Sequence, residues 1–325
     1  MLPHEQTTPP GWTLLERRVI AAIAPYRLDL TVAVLRRTAD NLVDVWTEGG
    51  VYLRAVTHRD GPLVYAVTQA PGANELVVSL YAPATSRAKA PHPSFASLDV
   101  AMTLGVSIDL RGFYDAAREI PLLWPVAERA RGVKPPRYPS LWEAVCNAVV
   151  FQQISLEAAT AVMRRIVSGL SSAVWFGDVA LHPFPALEAL LAADPAALRG
   201  WGLSASKARS LRDAADAILA GRLTDAEIEK MPTGEALARL TRERGIGHWT
   251  ASVILLRGFR RLDVFPMADS GARRGLRGLL GEGYSGDDPD AAHLLDVLGP
   301  WRGMLYYHLL LLRLAKNEQV DLDRG

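Results

Sequence analysis

The chain has 325 residues, of which 49% are hydrophobic and 22% are charged, and its formal net charge is +1. This length and composition allow a large buried core and two or three structural units, and no apolar run is as long as a membrane span requires. Met1–Pro10 carries an acid and prolines instead of a basic and then apolar signal sequence. We therefore expect a soluble, bacterial-type cytoplasmic protein without a membrane partner.

The chain has a single cysteine, Cys146, in the apolar run Trp142–Phe151. One cysteine cannot form an intrachain disulfide, and its neighbours predict that it fills the core. The same count excludes a zinc or iron–sulfur site with four cysteine ligands.

The first third of the chain alternates apolar and polar residues as β-strands do, with turn signals at Gly49-Gly50, Asp60-Gly61-Pro62 and Pro71-Gly72. The predicted strands are Arg27–Leu35, Leu42–Trp46, Val51–Val56, Leu63–Thr68 and Glu75–Tyr81. Turns this short join antiparallel strands. Ala82–Pro93 is rich in Pro, Ala and Ser and is predicted to be a loop. Asp99–Thr103 either continues the sheet or begins a helix.

From Asp109 onward the apolar spacing becomes helical. The predicted helices are Leu110–Glu119, Leu122–Arg131, Leu141–Gln153, Leu156–Gly169, Pro185–Ala192, Pro195–Arg199, Ala205–Ala220, Asp225–Lys230, Gly234–Glu243, Trp249–Gly258, Gly271–Leu280, Pro289–Leu298 and Arg302–Ala315. The sequence therefore predicts an α+β protein, with a small N-terminal antiparallel-sheet domain over residues 1–108 and a large helical domain over residues 109–325.

The most informative segment is Leu240–Asp269, which contains the turn Gly245-Ile246-Gly247, an apolar helix with Trp249, and then the lone acid Asp269. Two glycines one residue apart allow positive φ angles and expose backbone N–H groups to an approaching phosphate. Apolar residues at helical spacing on both sides indicate two packed helices. The pattern predicts a helix-hairpin-helix unit that grips a nucleic-acid phosphate. Taken alone, it also fits an ordinary turn between two helices.

Basic residues are concentrated around this hairpin, because 15 Lys and Arg stand against 9 Asp and Glu between Arg199 and Arg277. Such an excess is typical of a surface that faces phosphates, although a solvated surface without a partner has the same composition. The candidate phosphate-facing residues are Lys207, Arg209, Arg212, Arg242, Arg244, Arg257, Arg260, Arg261, Arg273, Arg274 and Arg277.

Five ordered segments carry a resemblance over nearly the whole chain: Trp142–Ala159, Leu198–Gly221, Arg244–Gly258, Leu262–Leu276 and Gly299–Leu310. With them the sequence resembles the helix-hairpin-helix DNA glycosylase superfamily and, within it, the 3-methyladenine DNA glycosylase II family. The resemblance implies two helical subdomains with the active site in the cleft between them. It also implies a monomeric, monofunctional enzyme without a cofactor, which flips alkylated bases of the 3-methyladenine and 7-methylguanine type out of duplex DNA and hydrolyses their N-glycosidic bond.

Asp269 matches the catalytic aspartate of that family. Cleavage of the bond between C1′ of deoxyribose and the base nitrogen builds positive charge on the sugar, and a buried, ionised carboxylate stabilises this charge. The alternative is that Asp269 only caps the helix that begins near Ser270, and the two roles are compatible. Asp263 in the same loop is the second choice for the catalytic acid.

Trp249 matches a residue that lines the base pocket of the family, at a position where bifunctional relatives have a Schiff-base lysine. An indole face attracts a cationic alkylated purine, whereas a Trp packed in the core is the alternative. The absence of lysine at this position argues against lyase chemistry. The resemblance also assigns Val253, Leu310 and Leu311 to the pocket, and the two leucines stand where better-known members have aromatic residues.

The resemblance further implies a set of DNA contacts. Gln153, with Gln152 and Ile154 beside it, matches the side chain that fills the gap left by the flipped base. Ser204, Ser206 and Lys207 precede or begin a helix that can contact a phosphate or the other strand. The hairpin contacts are assigned to Arg244, Gly245, Ile246, Gly247, His248 and the N–H groups of Trp249 and Thr250.

A monovalent cation, Na⁺ or K⁺, is implied at the backbone carbonyls of Thr241, Glu243 and Ile246. No metal site built from side chains is implied. Arg302 is predicted either to bind a phosphate, to support the Asp269 loop or to pack.

Two alternatives remain open from the sequence. One is a helix-hairpin-helix protein that binds DNA without chemistry. The other is an oxidised-purine or mismatch glycosylase, against which stand Trp249 in place of lysine and the missing four-cysteine cluster that some of those relatives carry.

Overall fold

The structure, a computed structural model, describes residues 8–87, 95–281 and 289–323. Parts of two segments interpreted above, Met1–Pro10 and Ala82–Pro93, lie outside these residues. Within the described ranges no helix is both long enough and apolar enough to cross a bilayer.

An antiparallel five-stranded sheet forms the N-terminal part, with the strand order β1-β5-β4-β3-β2. The strands are β1 Trp12–Ala21, β2 Val45–Trp46, β3 Tyr52–Val56, β4 Leu63–Gln69 and β5 Glu75–Pro83. The predicted strands β2 to β5 are therefore confirmed. β1 was not predicted, because its polar run at residues 16–18 interrupts the alternation on which the other strands were recognised.

The predicted strand Arg27–Leu35 is wrong, because this segment forms helix α1, Leu28–Arg36. Most of its side chains are buried, so the apolar run lacks the one-sided pattern of a surface helix. A short run that is apolar on all sides fits a buried strand and a buried helix equally well, and periodicity does not separate them.

The rest of the chain is mainly helical, and the predicted helices are confirmed within a few residues. The helices are α2 Phe95–Leu104, α3 Arg111–Arg118, α4 Trp124–Arg129, α5 Leu141–Val150, α6 Leu156–Leu170, α7 Leu187–Ala192, α8 Pro195–Gly200, α9 Ala205–Leu219, α10 Asp225–Lys230, α11 Thr233–Leu240, α12 His248–Phe259, α13 Ser270–Leu280, α14 Pro289–Leu298 and α15 Arg302–Lys316. Asp99–Thr103 therefore belongs to a helix. A small hairpin that was not predicted, β6 Val174–Phe176 and β7 Val179–Leu181, follows α6.

Helix α12 lies at the centre of the helical part and is buried over residues 250–259. Val253, Ile254 and Leu255 belong to a core cluster shared by the sheet, α5 and α9, whereas Leu256 belongs to a second cluster with α13 and α15. α12 therefore packs against two groups of helices, and its first residues, His248 and Trp249, are not fully buried. The domain boundary after residue 108 stays a prediction, because the sheet and the helices share one core cluster.

A buried group of charges joins the sheet to the start of α5. Arg54 on β3 donates to Asp44 at 2.7 Å and to Glu143 on α5 at 2.5 Å, and the Tyr52 hydroxyl donates to Asp44 at 2.8 Å. Burial raises the pKa of Glu143 to about 7. The Ser140 hydroxyl also caps the N-terminus of α5. These contacts fix the position of α5 and therefore of the loop that follows it.

His308 on α15 predicts a pH dependence of stability. It is 0% exposed and packs on Phe113, its Nδ1 lies 2.8 Å from the Met304 carbonyl oxygen, and its Nε2 has no partner among the described residues. Burial lowers its pKa from 6.5 to about 4. The unfolded chain therefore binds the proton more readily, and stability present above pH 6.5 is lost as the pH falls through about 4.

We expect His308→Leu to remove much of this acid sensitivity. The contribution of His308 to the free energy of unfolding changes by about 3 kcal/mol between the two pH values. Urea unfolding of the wild type and the variant at a series of pH values measures it. His293→Gln, a substitution at an exposed histidine of α14, is the control. An unchanged acid limb in the His308 variant would contradict the assignment.

Candidate functional site

A cleft of about 1490 Å³ opens at the start of α12. Its walls come from the loop between α5 and α6, the loop between α11 and α12, and the helices α13 and α15. Basic side chains outnumber acidic ones along it, seven against three: Arg37, Arg242, Arg244, Arg273, Arg274, Arg313 and Lys316 against Glu157, Glu243 and Asp269. The cleft is therefore a concave surface that attracts anions.

The loop between α11 and α12 is the predicted hairpin, and its two glycines have different reasons to be glycine. Gly245 has a φ of 79°, and a Cβ there would lie 1.8 Å from the Ser210 hydroxyl oxygen of α9. Gly247 has an extended backbone with a φ of −81°, and no atom lies within 4 Å of the position its Cβ would take. The fold requires the first glycine, whereas the second leaves open space on the cleft side.

Gly247 is also the N-cap residue of α12, so no side chain caps this helix. The first N–H groups of a helix have no partner within the helix, and the helix dipole adds partial positive charge there. His248 and Trp249, which begin the helix, line the cleft. The hairpin therefore presents an uncapped helix N-terminus, which is an anion-binding geometry.

Gln152, Lys207 and Thr250 connect the hairpin to the end of α5. The Gln152 side-chain amide donates to the Gly245 carbonyl at 3.0 Å and to the Thr250 hydroxyl at 2.7 Å. The Lys207 ammonium donates to the carbonyls of Val150 and Gln152 at 2.8 and 2.7 Å, and burial lowers its pKa. The side chains of Gln152 and Lys207, both predicted to contact DNA, and the Thr250 hydroxyl thus hold the two loops together. The predicted contact of the Thr250 N–H with DNA stays a prediction.

Ser204 and Ser206, the other predicted DNA contacts at the start of α9, lie away from the cleft. Ser204 caps α9 through the Lys207 N–H at 3.2 Å, and the Ser206 carbonyl accepts a hydrogen bond from the Ser210 hydroxyl. Both serines are exposed, and neither lines the cleft. A contact with the other strand stays a prediction for these two residues.

Gln153 stands at the tip of the loop between α5 and α6. Its φ is 56°, in the left-handed region that few non-glycine residues adopt, and its side chain is exposed and lines the cleft. Ile154 beside it is 38% exposed although it is apolar. The structure therefore presents both side chains to the cleft from a loop anchored by Lys207. That one of them fills the gap left by a flipped base stays a prediction.

Asp269 is held by two helices. Its Oδ1 accepts from the Ala272 N–H at 2.8 Å and caps α13, and its Oδ2 accepts from the Trp249 indole N–H of α12 at 3.2 Å. The capping alternative is thus confirmed, and the same half-buried carboxylate lines the cleft. Asp263, the second choice, is exposed and does not line the cleft.

Trp249 is half-buried, packs partly against the core and lines the cleft together with Val253 and Leu310. Leu311 does not line the cleft. It is 0% exposed and belongs to the core cluster on the inner side of α15, so its assignment to the pocket is corrected. Tyr306, one turn before Leu310, lines the cleft in its place.

Only part of the predicted basic surface faces the cleft. Arg242, Arg273 and Arg274 are exposed, line the cleft and pair with no other described residue, whereas Arg244 approaches Asp213 only at 3.9 Å. Four other candidates instead donate to backbone carbonyls inside the fold: Arg212, Arg257, Arg260 and Arg261. Burial lowers the pKa of Arg260 to about 10. The charge count alone therefore overestimates the phosphate-facing surface.

The carbonyls predicted to hold a cation lie along the cleft. The Glu243 carbonyl accepts from the Ile246 N–H at 3.1 Å, and those of Thr241 and Ile246 accept no hydrogen bond from the described residues. No group of three or more His, Cys, Asp or Glu side chains in the described part of the chain suits a metal ion. The backbone carbonyls fit a monovalent cation, which stays a prediction. Arg302 donates to Gly299 and lies off the cleft.

Several side chains on the cleft were not predicted as site residues, among them Arg37, Phe151, Arg313 and Lys316. Arg37 follows α1, and Phe151 ends α5, and the Arg37 guanidinium lies 4.3 Å from the centre of the Phe151 ring. Arg37 lies outside the predicted strand Arg27–Leu35, and no spacing in the sequence connects residue 37 with residue 151. Phe151 lies within a segment that carries the resemblance, which was the available signal.

Residues 146–294 match a family model described as HhH-GPD superfamily base excision DNA repair protein. The chain is 28% identical to DNA-3-methyladenine glycosylase of Bacillus subtilis over 60% of its own length and 63% of that protein. It is 33% identical to DNA-3-methyladenine glycosylase 1 of Schizosaccharomyces pombe over 42% of its own length and 56% of that protein. These matches thus span less than two thirds of either relative.

A solved structure, the 3-methyladenine DNA glycosylase from Archaeoglobus fulgidus, superposes with a TM-score of 0.76. The alignment covers 93% of this chain and 100% of that chain at 22% sequence identity, so it concerns the fold. The two helices α11 and α12 and the hairpin between them lie within the matched residues. Over residues 146–294 the chain is therefore similar to the HhH-GPD superfamily of base excision DNA repair proteins.

Proposed function

We propose that this protein is a monofunctional DNA glycosylase that flips an alkylated base out of duplex DNA and hydrolyses its N-glycosidic bond. The observation that carries the proposal is a carboxylate, Asp269, fixed by two hydrogen bonds at the wall of a basic cleft next to an uncapped helix N-terminus. The names of the two curated relatives, both DNA-3-methyladenine glycosylases, support the same substrate class.

In the proposed reaction the bond between C1′ and the base nitrogen breaks, and its electron pair leaves with the base. A base alkylated on a ring nitrogen carries a positive charge and departs as a neutral molecule, so it needs little protonation. The negative charge of Asp269 stabilises the positive charge that develops on the sugar. The oxygen of a water molecule then bonds to C1′, and one proton passes to solvent, which leaves an abasic site.

The hairpin supplies the complementary part of the proposal. The open space at Gly247 gives room for a backbone phosphate, and the N–H groups that begin α12 donate to its oxygens. The exposed Arg242, Arg273 and Arg274 add positive charge along the path of the strand. Gln153 and Ile154 project from the opposite loop and fill the space of the everted nucleotide. A monovalent cation at the Thr241, Glu243 and Ile246 carbonyls would tighten the hairpin around the phosphate.

A lyase that forms a Schiff base needs an amine beside the sugar. Among the described residues that line the cleft, Lys316 is the only lysine, and it is exposed at the end of α15. Lys207 is engaged by two carbonyls. These positions favour hydrolysis by water over amine chemistry.

Asp269→Asn tests the catalytic role, because asparagine retains the capping ability of the residue and removes its charge. We expect base excision to fall by a factor of about 100 or more, while affinity for duplex DNA is retained. Single-turnover release of 3-methyladenine from alkylated duplex DNA measures the first quantity, and fluorescence anisotropy measures the second. Asp263→Asn is the matched control. Undiminished excision by Asp269→Asn would refute the catalytic assignment.

Gly245→Ala tests whether the fold requires glycine at this position, and Gly247→Ala tests the proposed contact with a phosphate. The first should destabilise the protein by at least about 2 kcal/mol, because its Cβ meets Ser210 and its φ is positive. The second should leave the melting temperature unchanged and weaken binding to damaged and undamaged duplexes alike, since its Cβ occupies only the space of the phosphate. Tight binding by Gly247→Ala would count against the hairpin contact.

Two substitutions of Trp249 distinguish its hydrogen bond to Asp269 from its proposed aromatic contact with the base. Phenylalanine keeps an aromatic face but loses the hydrogen bond to Asp269 at 3.2 Å, whereas alanine loses both. We expect Phe to lower excision moderately on all substrates and Ala to lower it most on cationic bases. Excision rates for a cationic and a neutral lesion measure this difference. Equal losses on both lesions in the alanine variant would exclude selection by the indole face.

A further inference from the structure

Arg37 is fixed at the C-terminal end of α1 by a network of backbone hydrogen bonds. Its own N–H donates to the Ala33 carbonyl at 3.0 Å with φ at 64°, which ends the helix. The neighbouring carbonyls of Val34 and Leu35 accept from the buried Arg257 of α12, and the Asn41 amide donates to the Arg36 carbonyl. The backbone from which the Arg37 side chain extends is therefore rigid.

The Arg37 side chain itself is buried but unpaired. The residue is 5% exposed and lines the cleft, its guanidinium lies over the Phe151 ring at 4.3 Å, and its buried Nε has no hydrogen-bond partner among the described residues. A buried donor without a partner costs free energy unless water or a ligand accepts its hydrogen bond. Arg37 lines this cleft and also a smaller cavity beside Leu42, Asn147 and Thr160.

Arg37 lies near the proposed chemistry. Burial raises the pKa of Tyr306 on α15, the charge of Arg37 counteracts this rise, and the charge of Asp269 adds to it. The Tyr306 phenol is therefore within electrostatic reach of both the cation and the carboxylate, and all three residues line the cleft.

We propose that Arg37 is a specificity-determining residue, which donates hydrogen bonds to the exocyclic carbonyl oxygen of the everted base and so favours bases that carry a carbonyl. The planar guanidinium presents several N–H groups in a fixed fork, and the two lone pairs of that carbonyl oxygen can accept from it. An adenine-type base has an amino group, itself a donor, at the position of the carbonyl, so the Arg37 donors stay unpaired there, and discrimination by such unmet hydrogen bonds is large.

The inference rests on the proposed glycosylase function and adds a preference within it. Two alkylated purines isolate the preference, because 7-methylguanine and 3-methyladenine both carry positive charge in the nucleotide, whereas only the first has a carbonyl group. Attraction of the cationic ring to Trp249 is therefore common to both substrates. The difference between them measures the contribution of the Arg37 donors.

Arg37→Met keeps an apolar stem over Phe151 and removes the donors. The experiment compares single-turnover excision of 7-methylguanine and of 3-methyladenine from otherwise identical duplexes. We expect the ratio of the two rates, 7-methylguanine over 3-methyladenine, to fall by about 10- to 100-fold relative to the wild type. Arg36→Met is the matched control, because Arg36 does not line the cleft, and its ratio should equal that of the wild type.

Melting temperature and affinity for abasic-site DNA report on folding in the same variants. If Arg37→Met does not fold, Arg37→Lys, which keeps the charge but not the planar fork, is measured in its place and should lower the ratio in the same direction. An unchanged ratio, or an equal loss on both bases, would overturn the inference while leaving the glycosylase function intact. Failure of the wild type to release either base would instead refute the proposed function.

Discussion

Two hydrogen bonds from different helices hold the Asp269 carboxylate, and the organisation of the cleft depends on them. The Ala272 N–H belongs to α13 and the Trp249 indole to α12, so the acid connects two helices that pack in different core clusters. α12 is buried along most of its length and cannot rotate without disturbing both clusters. The position of the carboxylate is therefore set by the core of the protein. A charge held in this way needs no reorganisation when positive charge develops beside it.

Much of this arrangement was predictable from the sequence, because it depends on local patterns. Helical apolar spacing identified α12 and α13, and the two glycines between α11 and α12 identified the hairpin. Capping by Asp269 was predictable from the residue type. The helix α1 was not, since an apolar run buried on all sides carries no period that separates helix from strand. Arg37 lies just beyond this segment and was not predicted as a site residue, and its contact with Phe151 joins residues that are far apart along the chain.

The sequence also does not show which charged residues face the cleft. A count of Lys and Arg around the hairpin does not distinguish exposed cations from those that satisfy carbonyls inside the fold. Arg257 and Arg242 have the same charge, yet the first is 2% exposed and binds the end of α1, and the second is exposed at the cleft. Lys207 was expected at a phosphate, but its ammonium holds the loop that carries Gln153. Only the three-dimensional arrangement of donors and acceptors separates these roles.

The contrast between the two hairpin glycines has a consequence for how this surface varies over evolution. The position of Gly245 is coupled to residue 210, because a Cβ at 245 would lie 1.8 Å from the hydroxyl oxygen and 2.5 Å from the Cβ of Ser210. Exchange at 245 therefore requires the Ser210 side chain to be displaced or lost, and a smaller residue at 210 does not remove the penalty of the positive φ. Gly247 has no such coupling within the protein. Homologues without the phosphate contact proposed for the hairpin should thus lose the second glycine freely while retaining the first.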